Sequence, residues 1–361
     1  MSSKECLVAL DQYSGRLDGD SQTALSLDRA SVKEAEGLYV TGGRQRNFIK
    51  TDEWHQYGKG VIVRVNTMTG SSECCVEYET PSEACSEEQP SITFKAGTLV
   101  GNRLYICTST EVLVYQVPEF KRVGYISLPC FNDLHHVCVA PDGSLLVANT
   151  GLDMVVEVTP DGRVSREWGV LGEDPWERFS RGVDYRKVVS TKPHKSHPNF
   201  VFKLGDEVWV TRFHQRDAIC LTSPNRRIAI GAQGPHDGAA HNGHIYFTTV
   251  DGKLVIVNQH TLKTEEVVDL NEITGQNIPL GWCRGLKVID ERKVWVGFSR
   301  FRPTKFKENV SWIRNGFKKV LKPTHIALYD IYMKECLKEI NLEPSGINTV
   351  FSIFAEPTPA G

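Results

Sequence analysis

Short runs of alternating apolar and polar residues recur along this chain, separated by Asp-Gly, Asn-Gly and Pro-Asp-Gly turns. The pattern is clearest over residues 132–162, NDLHHVCVAPDGSLLVANTGLDMVVEVTPDG. His136 to Ala140, Leu145 to Asn149 and Met154 to Thr159 read as three strands, and Arg163 to Trp168 as a fourth. Glycine accepts the positive φ that tight turns require, so apolar alternation bounded by such turns predicts antiparallel hairpins. A four-stranded meander of about forty residues is the size of one β-propeller blade.

The same apolar-aromatic strand occurs six times, as GLYVTG at 37–42, RLYICT at 103–108, SLLVAN at 144–149, EVWVTR at 207–212, HIYFTT at 244–249 and KVWVGF at 293–298. A second apolar strand follows each copy, for example VIVRV at 61–65 and VLVYQV at 112–117. The expectation is an all-β, six-bladed β-propeller spanning residues 1–361 as one domain. Its blades fall near 35–80, 92–128, 133–169, 198–231, 236–270 and 283–342. The alternating strand at 347–356 has no hairpin partner of its own, and we expect it to close the ring as the innermost strand of the first blade. CLVAL at 6–10 is a further candidate strand without an assigned place.

The DGSLLVANTGLDMVVEVTPDG segment resembles an NHL-type repeat, and the whole is similar to the six-bladed propellers grouped with the gluconolactonase and strictosidine synthase families. That resemblance implies blade architecture. It leaves function open, because propellers host hydrolases, lyases, synthases and interaction modules alike.

Strand direction sorts the loops onto two faces. The turns between first and second strands are short, whereas long insertions at 43–60, 170–196 and 299–324 all fall on the other face. Long loops in a compact domain are commonly functional. Val310, Ile313, Phe317, Val320 and Leu321 recur at helical spacing within 307–323, which predicts an amphipathic helix. Trp176, Phe179 and Tyr185 within 170–196 suit a folded cover.

Counting back from the second strands gives the residue that enters each innermost strand at the elaborated face: Lys95, His136, Asn199, His236 and Arg284, with Asn348 for the first blade. Loops on that face add Arg44, Arg46, Arg212, Arg216, Arg300 and Arg302. Guanidinium forks suit carboxylate, phosphate and sulfate. Lys95, Asn199, Arg284, Arg44, Arg212, Arg300 and Asn348 are therefore candidate substrate-binding residues for a small anionic molecule.

Histidines gather on the same face: His135, His136, His194, His197, His214 and His236. His136 and His236 are the candidate acid–base pair. A divalent transition metal on His136, His197 and His236 is the competing use, with Asp133 or Asp237 adding a carboxylate. The resembled gluconolactonases hold a divalent cation with Glu, Asn and Asp, and only Asn199 matches that set here. Hard cations need several oxygen ligands, so a calcium-type site is not expected.

The formal net charge of −2 gives no reason to expect nucleic acid or an anionic membrane as partner. No long apolar run or secretory h-region is present, and the ten cysteines show no CxxC spacing. A cytoplasmic protein with reduced thiols is expected. The function expected is that of an enzyme, lyase or hydrolase, acting on a small anion at the channel mouth. The alternative is a non-catalytic propeller that recognises an acidic peptide or polymer.

Overall fold

The computed structural model describes residues 36–46, 55–275, 279–301 and 322–357. Six four-stranded antiparallel sheets are arranged as a six-bladed propeller. The innermost strands are Thr349–Ala355, Gly97–Val100, Leu134–Val139, Pro198–Leu204, Pro235–His241 and Trp282–Val288, in blades 1 to 6. Each of the six recurring apolar-aromatic segments is the second strand of its blade, hydrogen-bonded on both edges, which suits a run with no wholly polar face.

Ring closure is by the C-terminal strand. Thr349–Ala355 pairs antiparallel with Gly37–Gln45, from Gly43 opposite Thr349 to Leu38 opposite Ala355. Blade 1 is therefore built from both ends of the described chain.

The core is six apolar layers, one between each pair of neighbouring blades. Phe200, Phe202 and Trp209 of blade 4 pack on Ile245, Phe247, Val255 and Val257 of blade 5. Tyr39 and Ile62 of blade 1 meet Leu104, Ile106 and Leu113 of blade 2. Trp295 of blade 6 lies in a layer with Val40, Val63 and Ile353 of blade 1. Trp209 is wholly buried, and truncating such a residue to alanine costs about 3–5 kcal/mol.

The insertion at 170–196 is a folded wall with short 3-10 turns at Pro175–Glu177 and Tyr185–Lys187. Tyr185 is buried in the layer between blades 2 and 3, with Trp176 and Phe179 packed beside it. The helix expected within 307–323, Arg302 and the 6–10 segment lie outside the described residues, apart from 322–323. No helix among the described residues is long and apolar enough to cross a membrane.

Candidate functional site

The site is set by irregularities in the inner strands. In blades 1, 3 and 5 the pairing with the second strand skips one residue: Phe351 between Val350 and Ser352, His135 between Leu134 and His136, and His236 between Pro235 and Asp237. Blade 6 skips Gly285, whose φ of +67° is the left-handed region that glycine tolerates at such a bulge. An extra residue turns its side chain out of the ladder. In blades 1, 3 and 5 it turns toward the elaborated end of the channel.

Threonine hydroxyls on the second strands cap two of these irregularities, in blades 1 and 5, and a third in blade 4, where the register shifts between Pro198 and Val201. Thr41 Oγ1 accepts from Ser352 N at 3.1 Å, Thr211 Oγ1 from Phe200 N at 3.0 Å and Thr248 Oγ1 from Asp237 N at 3.2 Å. These threonines occupy one position of the recurring motif, in VT of GLYVTG and EVWVTR and FT of HIYFTT. A sequence signal for the irregular register therefore exists.

The result is a cavity of about 470 Å³ whose wall includes Lys95, Asp133, His135, His197, His236 and Arg284. Lys95 Nζ forms an ion pair with Asp133 Oδ1, and His135 Nε2 lies 3.4 Å from the same oxygen. The rings of His135 and His197 meet edge to face at 4.7 Å, and those of His135 and His236 are 5.6 Å apart. Arg284 stacks its guanidinium over Phe351 at 4.6 Å.

Burial would raise the Asp133 carboxyl, but Lys95 and His135 outweigh it and hold the group well below the usual carboxylate range. Burial pushes His135 down to about 4, with Lys95 adding to the effect. It also pushes His236 well below its ordinary value, reinforced by Arg284. The imidazoles are thus neutral at physiological pH, each with one nitrogen lone pair to offer. His135 Nδ1 and both ring nitrogens of His236 are buried without a hydrogen-bond partner among the described residues.

A third wall comes from the end of the 170–196 insertion. His194 and His197 sit with their Nδ1 atoms 2.8 Å apart. Asp153 holds this segment: its carboxylate accepts from the backbone of Lys195, Ser196 and His197 at 2.7, 3.0 and 2.8 Å and from Arg178 at 2.8 Å. His197 has φ +61° and Asp133 φ +48°. Left-handed conformations of non-glycine residues cost about 1–3 kcal/mol and persist where surrounding structure over-determines them. For His197 the Asp153 bonds supply that determination.

Several residues expected at this mouth are elsewhere. His136 follows the bulged His135 and therefore faces the opposite cavity, edge-on to Phe200 at 4.8 Å. It is remote from the metal cluster and acid–base pair assigned to it, and His135 takes its place. Arg44 donates to Gly346 O and pairs with Glu77. Arg212 forks onto buried Asp217 at 2.9 and 2.7 Å, and Arg300 bonds Glu343 and Gln45 at 3.3 and 3.2 Å. Asn348 Oδ1 accepts from Gln45 N, and Asn199 Nδ2 donates to Pro235 O. These five sustain loop and blade geometry and do not line the cavity. Of the expected metal set His136, His197 and His236, two line it.

Residues absent from the sequence reading also form the wall. Phe351 and Trp282 come from inner strands, Tyr57 from the start of the third strand of blade 1, and Pro90–Thr93 from the connection between blades 1 and 2. That connection has no apolar periodicity to reveal it.

The sequence matches no protein-family model and no curated protein. The structure is similar to a protein of unknown function from Bacteroides caccae, at 14% identity and TM-score 0.57, over 88% of this chain and 98% of that one. It is also similar to a chain of a nidogen/laminin complex, at 9% identity and TM-score 0.51, over 88% and 97%. Both likenesses are of fold alone.

Proposed function

We propose that the protein is an enzyme that binds a small carboxylate-, phosphate- or sulfate-bearing molecule in the 470 Å³ cavity and acts on it with His135 and His236. The observation that supports this best is His236, whose two ring nitrogens are buried in the cavity wall without a partner among the described residues. Leaving a buried polar atom unsatisfied costs about 1–3 kcal/mol, a cost that a bound ligand offsets. The cavity falls within the roughly 300–1,000 Å³ of small-molecule sites, which favours this reading over recognition of an acidic polymer.

In this reading each group has a role. Asp133, beside Nε2 of His135, favours the tautomer protonated there and leaves Nδ1 as the basic atom. His135 Nδ1 would take the proton from carbon next to a carboxylate, or from water. Lys95 and Arg284 would face the negative charge that develops, the imidazolium of His135 so formed would return its proton to the departing group, and neutral His236 would donate a hydrogen bond to that group. The first course is a lyase reaction and the second a hydrolysis.

Solvent exchange tests the proton-transfer step without knowledge of the leaving group. Small carboxylic acids incubated with the protein in D2O should gain deuterium next to the carboxylate, or phosphate and sulfate esters should be cleaved. His135→Ala should reduce the rate at least 100-fold in either case. No exchange and no cleavage across such a panel, with tight binding of polyglutamate instead, would overturn the enzyme reading in favour of a binding module.

A further inference from the structure

We infer that Asp133, His194 and His197 form a binding site for one divalent first-row transition-metal ion, with open coordination positions facing the cavity. The ligand atoms of these three residues lie within 4.8 Å of one another. Two imidazoles and one carboxylate on one side of an ion are the donor set of sites that leave positions free for substrate. The inference deepens the reading above: the ion would receive the anionic oxygen of the small molecule proposed to bind there.

The spacing of the two imidazoles suggests the geometry. Ligand nitrogens about 2.1 Å from one ion stand about 3.0 Å apart at a right angle and about 3.4 Å apart at the tetrahedral angle. The His194 and His197 Nδ1 atoms are 2.8 Å apart, which fits a right-angled, six-coordinate arrangement better than a tetrahedral one. The same approach is also that of a hydrogen bond between two neutral imidazoles, and this is the alternative to be tested.

The surroundings match what metal-binding histidines require. Thr191 Oγ1 lies 3.3 Å from Nε2 of His194, where it can accept the proton that a ligating Nδ1 leaves on the far side of the ring. The four bonds to Asp153 place His197 beside its partner before any ion arrives. Lys95 and His135 lie against Oδ1 of Asp133, leaving its second oxygen for the ion.

The site can be tested on the full chain, stripped with chelator and titrated with Co2+, whose visible bands and proton hyperfine shifts report coordination. One equivalent should bind in the micromolar range or tighter. The weak bands should be those of a six-coordinate ion, with shifted resonances from two histidine rings. His194→Ala and His197→Ala should each weaken binding at least 100-fold, and His136→Ala should leave it within twofold. If either ligand variant fails to fold, the ring resonances of the unaltered protein decide the matter, because the shifted signals must come from two histidines. Absence of Co2+ uptake by the folded chain, or uptake unaffected in His197→Ala, would overturn the inference. Inorganic phosphate binding to the stripped protein separates the two ideas: if it persists without metal uptake, the metal site fails while the anion site stands.

Discussion

The two ends of the central channel are lined by neighbouring residues of the same strands, yet they differ in kind. The upper cavity takes His135, His236 and Phe351, whereas the lower one, of about 290 Å³, takes His136, Asp237 and Ser352. Above, a Lys95–Asp133 ion pair and Arg284 surround imidazoles with unpartnered nitrogens. Below, Asp237 accepts from Ser352 Oγ at 3.1 Å and Gly238 N at 2.9 Å, burial raises its carboxyl to about 7, and His136 Nδ1 is buried without a hydrogen-bond partner among the described residues. A single extra residue per strand thus divides adjacent side chains between the end that holds the Lys95–Asp133 pair and Arg284 and the end that holds Asp237 and Lys287. The lesson is that bulges, more than composition, decide which side chains face which end of a propeller channel.

The contrast can be broken at its root by deleting residues 347–361. Phe351 and Ser352 come from one strand, so both cavities lose a wall and the second strand of blade 1 loses its inner partner. We expect no soluble folded protein by circular dichroism and gel filtration. A compact truncated monomer would show that closure does not depend on this strand.

The lower end is sharpened by pH. Asp237 titrates higher when folded than when unfolded, so the unfolded chain releases its proton first as pH rises above about 4. The stability it contributes is complete below that pH and is lost progressively up to about pH 7, by at most about 1.4 kcal/mol per pH unit. Asp237→Asn should flatten this decline in denaturant titrations at pH 4 to 8. An identical slope in both proteins would mean that Asp237 is ionised in the folded state.

Away from both cavities, Arg212→Ala leaves buried Asp217 with Arg227 as its remaining charged partner and should cost about 3 kcal/mol. Phosphate affinity should stay within twofold. A tenfold loss of affinity without loss of stability would return Arg212 to the binding surface.

Much of the fold is legible in the sequence because period-two alternation and glycine turns repeat with every blade. The closing strand is legible for the same reason, since INTVFSIFAE alternates without a local partner. The site is legible only in part. Counting along regular strands brings Lys95, His236 and Arg284 to one mouth but places His136 where the bulge puts His135. Arg44, Arg212 and Arg300 resemble anion ligands in sequence, whereas their partners Glu77, Asp217 and Glu343 are identified only by folding. The Asp153 clamp joins residues some forty positions apart and has no local sequence signature.

The central claim, that the anion site lies at the end of the channel bearing His236, is tested most directly by calorimetric titration with inorganic phosphate of two variants matched for fold. His236→Ala should weaken binding at least tenfold, and His136→Ala should leave it within twofold of the unaltered protein. Loss of binding in His136→Ala with retention in His236→Ala would place the site at the opposite end and contradict the account.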